Sequence, residues 1–148
     1  MDLVSINADR TLFVSGEIDD WAVVKANRID TIVDMDGDVD PGVPEAPNQI
    51  LYLYYPIRDE ELPCTRKLHA VGRLVADLVR ARHVALVHCR MGFNRSNLVI
   101  ATALTYLGMS GEEAVTHLQR VRPGALYNEA FADYLKGLPV GGNPPPAR

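Results

Sequence analysis

Apolar and polar positions follow two rhythms along this chain. Short β-type runs occupy Leu3 to Ile6, Leu12 to Val14, Thr31 to Val33, Ile50 to Tyr54 and Val84 to Val87, bounded by turn-forming or polar residues. The first two, split by Asn7 to Asp9, read as a hairpin or two edge strands. Elsewhere the spacing lengthens to that of a helix. Asp19 or Asp20 can cap a short helix through Asn27, with Trp21 and Val24 inward. Leu68, Val71, Leu74, Val75, Leu78 and Val79 define one face of a helix over residues 65–82. Residues 97–107 are apolar nearly all round, which predicts a buried helix stopped by Gly108. Ser110 and Glu113 form a capping box for a helix to about Arg122, and Asn128 caps a last one through Lys136, stopped by Gly137.

Strands mixed with helices, the helices dominating the second half, predict an α/β fold: a small mixed or parallel central sheet covered by helices. Residues 1–137 read as one domain and the Gly/Pro-rich segment 138–148 as a disordered tail. One loop departs from the pattern. Asp34, Asp36, Asp38, Asp40 and Glu45 fall at the spacing of an EF-hand calcium loop, but Val39 replaces its glycine and prolines stand at 41 and 44. The segment before it reads as strand. A solvated, Pro-rich surface loop over residues 36–48 is the expectation.

Composition narrows the function. The apolar fraction of 47% and the charged fraction of 23% are those of a globular domain, and the net charge of -4 offers no general field for nucleic acid or an anionic membrane. Arg90 and Arg95 can still make a locally basic cleft. Two cysteines, Cys64 and Cys89, do not make a disulfide scaffold. With no signal-peptide pattern at Met1 to Ser5 and no apolar run near the roughly 18 residues of a membrane helix, a cytoplasmic monomer is expected.

The candidate chemistry lies between the last strand and the helix after it. The strand delivers Cys89; Arg90, Met91, Gly92, Phe93 and Asn94 follow, then Arg95 and Ser96. Strand, tight loop and helix N-terminus form a nest of inward N–H groups, which suits a dianion. A cysteine in that field is expected to react as a thiolate. Arg95 can meet two phosphate oxygens at once, and Gly92 permits close backbone approach. A nucleophile aimed at phosphorus also needs an acid to protonate the leaving oxygen. Asp59, Glu60 and Glu61 in the Pro-bounded loop after the fourth run compete for that task. The positive charge comes from arginine and backbone donors, so no metal or cofactor is required, and His69, His83 and His117 lack ligand-like spacing with Cys64.

His88-Cys89, five residues, then Arg95-Ser96, with glycine three places after the cysteine, resembles the phosphate-binding loop of the cysteine-dependent protein tyrosine phosphatase superfamily. Tyr55 to Asp59, Leu86 to Cys89, Arg122-Pro-Gly and Asn128 make the dual-specificity branch the most similar. The resemblance implies a phosphocysteine intermediate on Cys89, Arg95 as the clamp, Asp59 as general acid, Ser96 stabilising the departing thiolate, and His88 and Asn128 in support. Residues 90–95 would line the phosphate. It also implies a phosphorylated protein or peptide as substrate. Gly92 to Arg95 is similar to the RNA 5′-triphosphatases of the same superfamily as well, which keeps an RNA 5′-phosphate as the enzymatic alternative. A catalytically silent phosphoprotein-binding module is the alternative from another class.

Overall fold

The computed structural model describes residues 1–142. Five strands, β1 (Val4–Ser5), β2 (Leu12–Ser15), β3 (Thr31–Asp34), β4 (Leu51–Tyr54) and β5 (Ala85–His88), form one sheet in the order β1-β2-β5-β3-β4. Only the β1–β2 pair is antiparallel; β2, β5, β3 and β4 run parallel. The sheet is therefore mixed and α/β, as expected. β2 is not an edge strand, because β5 pairs with its other side.

Alternation along the strands separates two cores. Leu12, Val14, Val33, Ala85 and Val87 face the larger core, built with the helices α2 (Thr65–Arg80), α3 (Arg95–Tyr106), α4 (Gly111–Val121) and α5 (Glu129–Lys136). Phe13, Ile32 and Leu86 face the smaller one, beneath the short helix α1 (Trp21–Ala26), whose Val24 is buried and whose Trp21 packs at its margin. The caps are those the sequence implies. The Asp20 side chain accepts from Ala22 N, Ser110 and Glu113 complete their box, and Asn128 accepts from Phe131 N.

Ten of the 12 residues of α3 are buried, which is why its apolar character runs all round. It starts two residues earlier than its apolar run, with Asn94 at the cap position, so Arg95 and Ser96 lie in its first turn and Ser96 is not a cap. The segment after Gly137 also differs from expectation. Leu138 is buried, its carbonyl accepts from Gly111 N, Gly141 N donates to Thr105 O, and the Tyr106 hydroxyl donates to Gly142 O. Residues 138–142 are thus packed against α3 and α4, and the rest of the expected tail lies outside the described residues.

Candidate functional site

Parallel register brings the site together. Ser15, His88, Asp34 and Tyr54 stand in one row at the C-terminal ends of β2, β5, β3 and β4. The crevice outside such strand ends, where neighbouring strands connect in opposite directions, is where open α/β sheets place ligands. The chain leaves β5 there and turns through residues 89–94 into α3. Gly92 adopts φ +76, and a Cβ on it would lie 2.8 Å from Ser15 C and O, so the loop requires glycine.

Cys89 is buried, 2% exposed. Its sulfur accepts from Gly92 N at 3.3 Å and lies 3.3 Å from Ser96 Oγ. Asn97, fully buried, donates to the carbonyls of Gly92 and Phe93, while the N–H of Gly92 faces the Cys89 sulfur. Arg95 follows the loop as the first residue of α3. Its guanidinium makes one long contact to Ile57 O, 3.5 Å, and one to Asp36, 3.6 Å, while Nε is buried with no protein acceptor. A buried N–H left unbonded is costly unless a ligand completes it.

The three candidate acids separate by their partners. Asp59 accepts from Asn94 Nδ2 and from Asn128 Nδ2, each at 2.9 Å, while Asn128 N donates to Asn94 Oδ1. Asn128 also donates to the Glu60 carbonyl, but no side-chain bond ties Glu60 or Glu61 to the loop among the described residues. Within the residues 90–95 expected to line the phosphate, the Asn94 side chain is 2% exposed and serves as the bracket between Asp59 and Asn128, the cap of α5. Arg90 and Met91 project outward, and the half-buried Phe93 ring lies 6.3 Å from that of Tyr127.

Residues 13–138 match the family model for the dual specificity phosphatase catalytic domain. The chain belongs to this family. Protein phosphatase Slingshot homolog 3 of Mus musculus is 32% identical over 120 residues, which are 76% of this chain and 17% of that protein. The dual specificity phosphatase domain described here therefore spans about a sixth of the length of that relative. Among solved structures, the Yvh1 phosphatase domain from Chaetomium thermophilum is 25% identical at a TM-score of 0.75, covering 91% of this chain and 94% of its own. DUSP15, at 21% identity and a TM-score of 0.76, covers 90% and 85% and shares the fold.

Two groups in this dual specificity phosphatase domain escaped the sequence reading. Arg122, 9% exposed, donates through Nε to Gly92 O (3.2 Å) and through NH2 to Met91 O (2.9 Å) and Asp2 (2.7 Å), with its guanidinium 4.6 Å from the Phe93 ring centre. It braces the loop from behind. The resemblance contained Arg122 but assigned it no task, and the only signal available was its place before Pro-Gly. The second group is the acidic loop. Asp40, within the loop expected to be solvated, is instead buried, as is Asp34 at the end of β3, and the two meet Tyr52 and His88 behind Cys89. The calcium-like spacing is thus taken up by internal partners: Asp34 with Tyr52, Asp36 with Arg95, and Asp40 with His88.

Proposed function

We propose that this domain hydrolyses phosphomonoesters of proteins, phosphotyrosine foremost, through a phosphocysteine intermediate on Cys89. The observation that carries the reading is the loop itself: a buried sulfur held by Gly92 N–H and Ser96, six residues before an arginine whose buried Nε has no protein partner. A phosphoryl group seated in the loop takes its equatorial oxygens to the inward N–H groups and to Arg95, where the charge of the transition state needs them. The Cys89 sulfur attacks phosphorus as the ester oxygen leaves, and Asp59 gives that oxygen its proton. For this, Asp59 releases one of its two asparagine amides. Water then attacks phosphorus with Asp59 as base, and Ser96 stabilises the departing thiolate.

The rim supports an aryl ester. Tyr127 and Met91 are 67% and 61% exposed, the two most exposed large apolar side chains of the described residues, and both border the loop. Exposed apolar surface at the loop and beside Phe93 suits the ring of phosphotyrosine. Because the nucleophile works as a free thiolate, a reducing compartment is the proposed location.

Turnover of p-nitrophenyl phosphate in EDTA tests the core of the reading. Cys89→Ser is expected to abolish it. Asp59→Asn is expected to lose about 10²-fold or more on a phosphotyrosine peptide and far less on the activated nitrophenyl ester. Turnover that survives Cys89→Ser would sink the mechanism, and equal loss on both substrates would move the acid elsewhere. Faster release of γ-phosphate from triphosphorylated RNA than of phosphate from phosphopeptides would replace the substrate class.

A further inference from the structure

The acidic loop takes no part in the steps above, yet it meets the residue next to the nucleophile. We propose that Asp40, backed by Asp34 and Tyr52, is a positioning residue that keeps His88 as a buried imidazolium and thereby sets the reactivity of Cys89. This role rests on Cys89 being the nucleophile.

The assignment follows from counting hydrogens. His88 is fully buried, and both ring nitrogens face acceptors. Nε2 lies 2.6 Å from Asp40 Oδ2 and 3.7 Å from Asp34 Oδ1, while Nδ1 lies 3.4 Å from the Cys89 carbonyl oxygen. A neutral imidazole has one N–H, which would leave a lone pair against an acceptor on the other side, away from water. The imidazolium satisfies both contacts. Tyr52 cannot supply the missing proton. Its hydroxyl accepts from Asp40 N and has one hydrogen to give, with Asp34 Oδ2 at 2.5 Å and Asp40 Oδ2 at 2.9 Å. Spent on the nearer Asp34, it leaves the Asp40 carboxylate to His88.

Electrostatics agree in direction. Burial works to discharge His88, but the Asp40 hydrogen bond and the charges of Asp40 and Asp34 outweigh it, holding the ring's pKa above its ordinary value. Burial raises the pKa of Asp34, which limits the negative charge in the cluster. The titratable groups facing the ring are Asp34 from β3, Asp40 from the loop after it and, through both, Tyr52 from β4; Asp36 turns away to Arg95. One ligand atom each of Asp34, Asp40 and His88 lies within 4.8 Å of the others, but a cation there would have to displace the proton shared by His88 and Asp40. A positive charge one residue from Cys89, bonded to its carbonyl, fixes that peptide and favours the thiolate.

Two measurements test this in a Cys64→Ser background, because Cys64 is exposed and backbone N–H groups at the start of α2, that of Lys67 first, lower its pKa. Nitrogen-15 NMR is expected to show His88 with protons on both nitrogens at about pH 7.5. A neutral ring there, or a ring that binds added Zn²⁺ or Mn²⁺ with loss of a proton, would overturn the proposal without any variant. Asp40→Asn is expected to slow iodoacetamide alkylation of Cys89 about tenfold at about pH 6 and to lower kcat with little change in KM. If Asp40→Asn does not fold, Tyr52→Phe keeps the ion pair without its support and is expected to slow alkylation less. An alkylation–pH profile matching wild type in the folded variant overturns the idea, since a merely structural loss lowers Tm alone. Both methods report on thiol and imidazole, so an inactive wild type would refute the phosphatase reading separately.

Discussion

Replacing Arg122 with lysine keeps a positive charge in place and removes the fork that braces the phosphate loop. The guanidinium serves three acceptors at once: Gly92 O, Met91 O and Asp2. An ammonium on a flexible stem cannot hold all three in that geometry, and it also forfeits most of the planar contact with Phe93. Asp2 is 60% exposed on its side chain, so its share is a surface ion pair of about 1 kcal/mol or less. The two loop carbonyls matter more, since a hydrogen bond from a charged donor contributes about 1.5–3 kcal/mol. If lysine keeps one of them, the loss is about 3 kcal/mol in all. For a domain of this size that lowers Tm by about 6–12 °C. Catalysis should suffer separately, because Gly92 carries both an Arg122 acceptor and the N–H that meets the Cys89 sulfur. A donor displaced by a fraction of an ångström lowers kcat by about 10- to 100-fold, with KM less affected. Thermal unfolding by circular dichroism and steady-state turnover of p-nitrophenyl phosphate measure the two. A variant within about 2 °C and about twofold of wild type would refute the idea that Arg122 shapes the loop.

Gly92→Ala puts a Cβ against Ser15 and Gly16 backbone at φ +76, with an expected loss of more than about 2 kcal/mol and of vanadate binding, read by denaturation and competition; Gly37→Ala, with nothing within 4 Å of its Cβ, is the near-neutral control. Comparable behaviour of the two would remove the steric argument. Burial holds His69 below its ordinary pKa, between the hydroxyls of Tyr106 and Tyr134. Tyr106 gives its hydrogen to Gly142 O, so His69 Nδ1–H donates to Tyr106 and Nε2 accepts from Tyr134. A folded pKa below the unfolded value means the contribution is fully present above about pH 6.5 and is lost as pH falls through the folded pKa. The acid-side decline of Tm should therefore be shallower in His69→Gln than in wild type. Parallel curves would show that the folded ring takes up its proton as the unfolded one does, and would remove the argument.

Local signals carried most of the architecture. The α2 face, the Ser110–Glu113 box and the Cys89–Arg95 spacing each fix structure within a few residues, where period, cap and glycine conformation act directly. Across longer separations the signal was absent. Nothing in the order of residues 34–40 says that Asp40 turns inward, because that depends on β3 lying beside β5 and on Tyr52 arriving from β4. The same holds for Asn94, whose type suits a loop lining but whose buried amide is claimed by Asp59 and Asn128. The start of α3 was misplaced by two residues because Arg95 and Ser96 are polar, while a helix begins where its backbone bonds begin: Leu98 N already donates to Asn94 O. The segment after Gly137 reads as a tail by composition, yet the buried Leu138 and three hydrogen bonds suffice to dock residues 138–142.

The brace from Asp2 through Arg122 joins positions 120 residues apart. Pairings of such high sequence separation close late in folding, because the chain entropy they cost is not offset until the intervening elements are in place. During synthesis the loop from Cys89 to Asn94 emerges well before α4, and it does so without its rear support. The nascent chain would then hold Cys89 in a loop that is not yet organised, and order there would arrive together with cooperative closure of the whole domain.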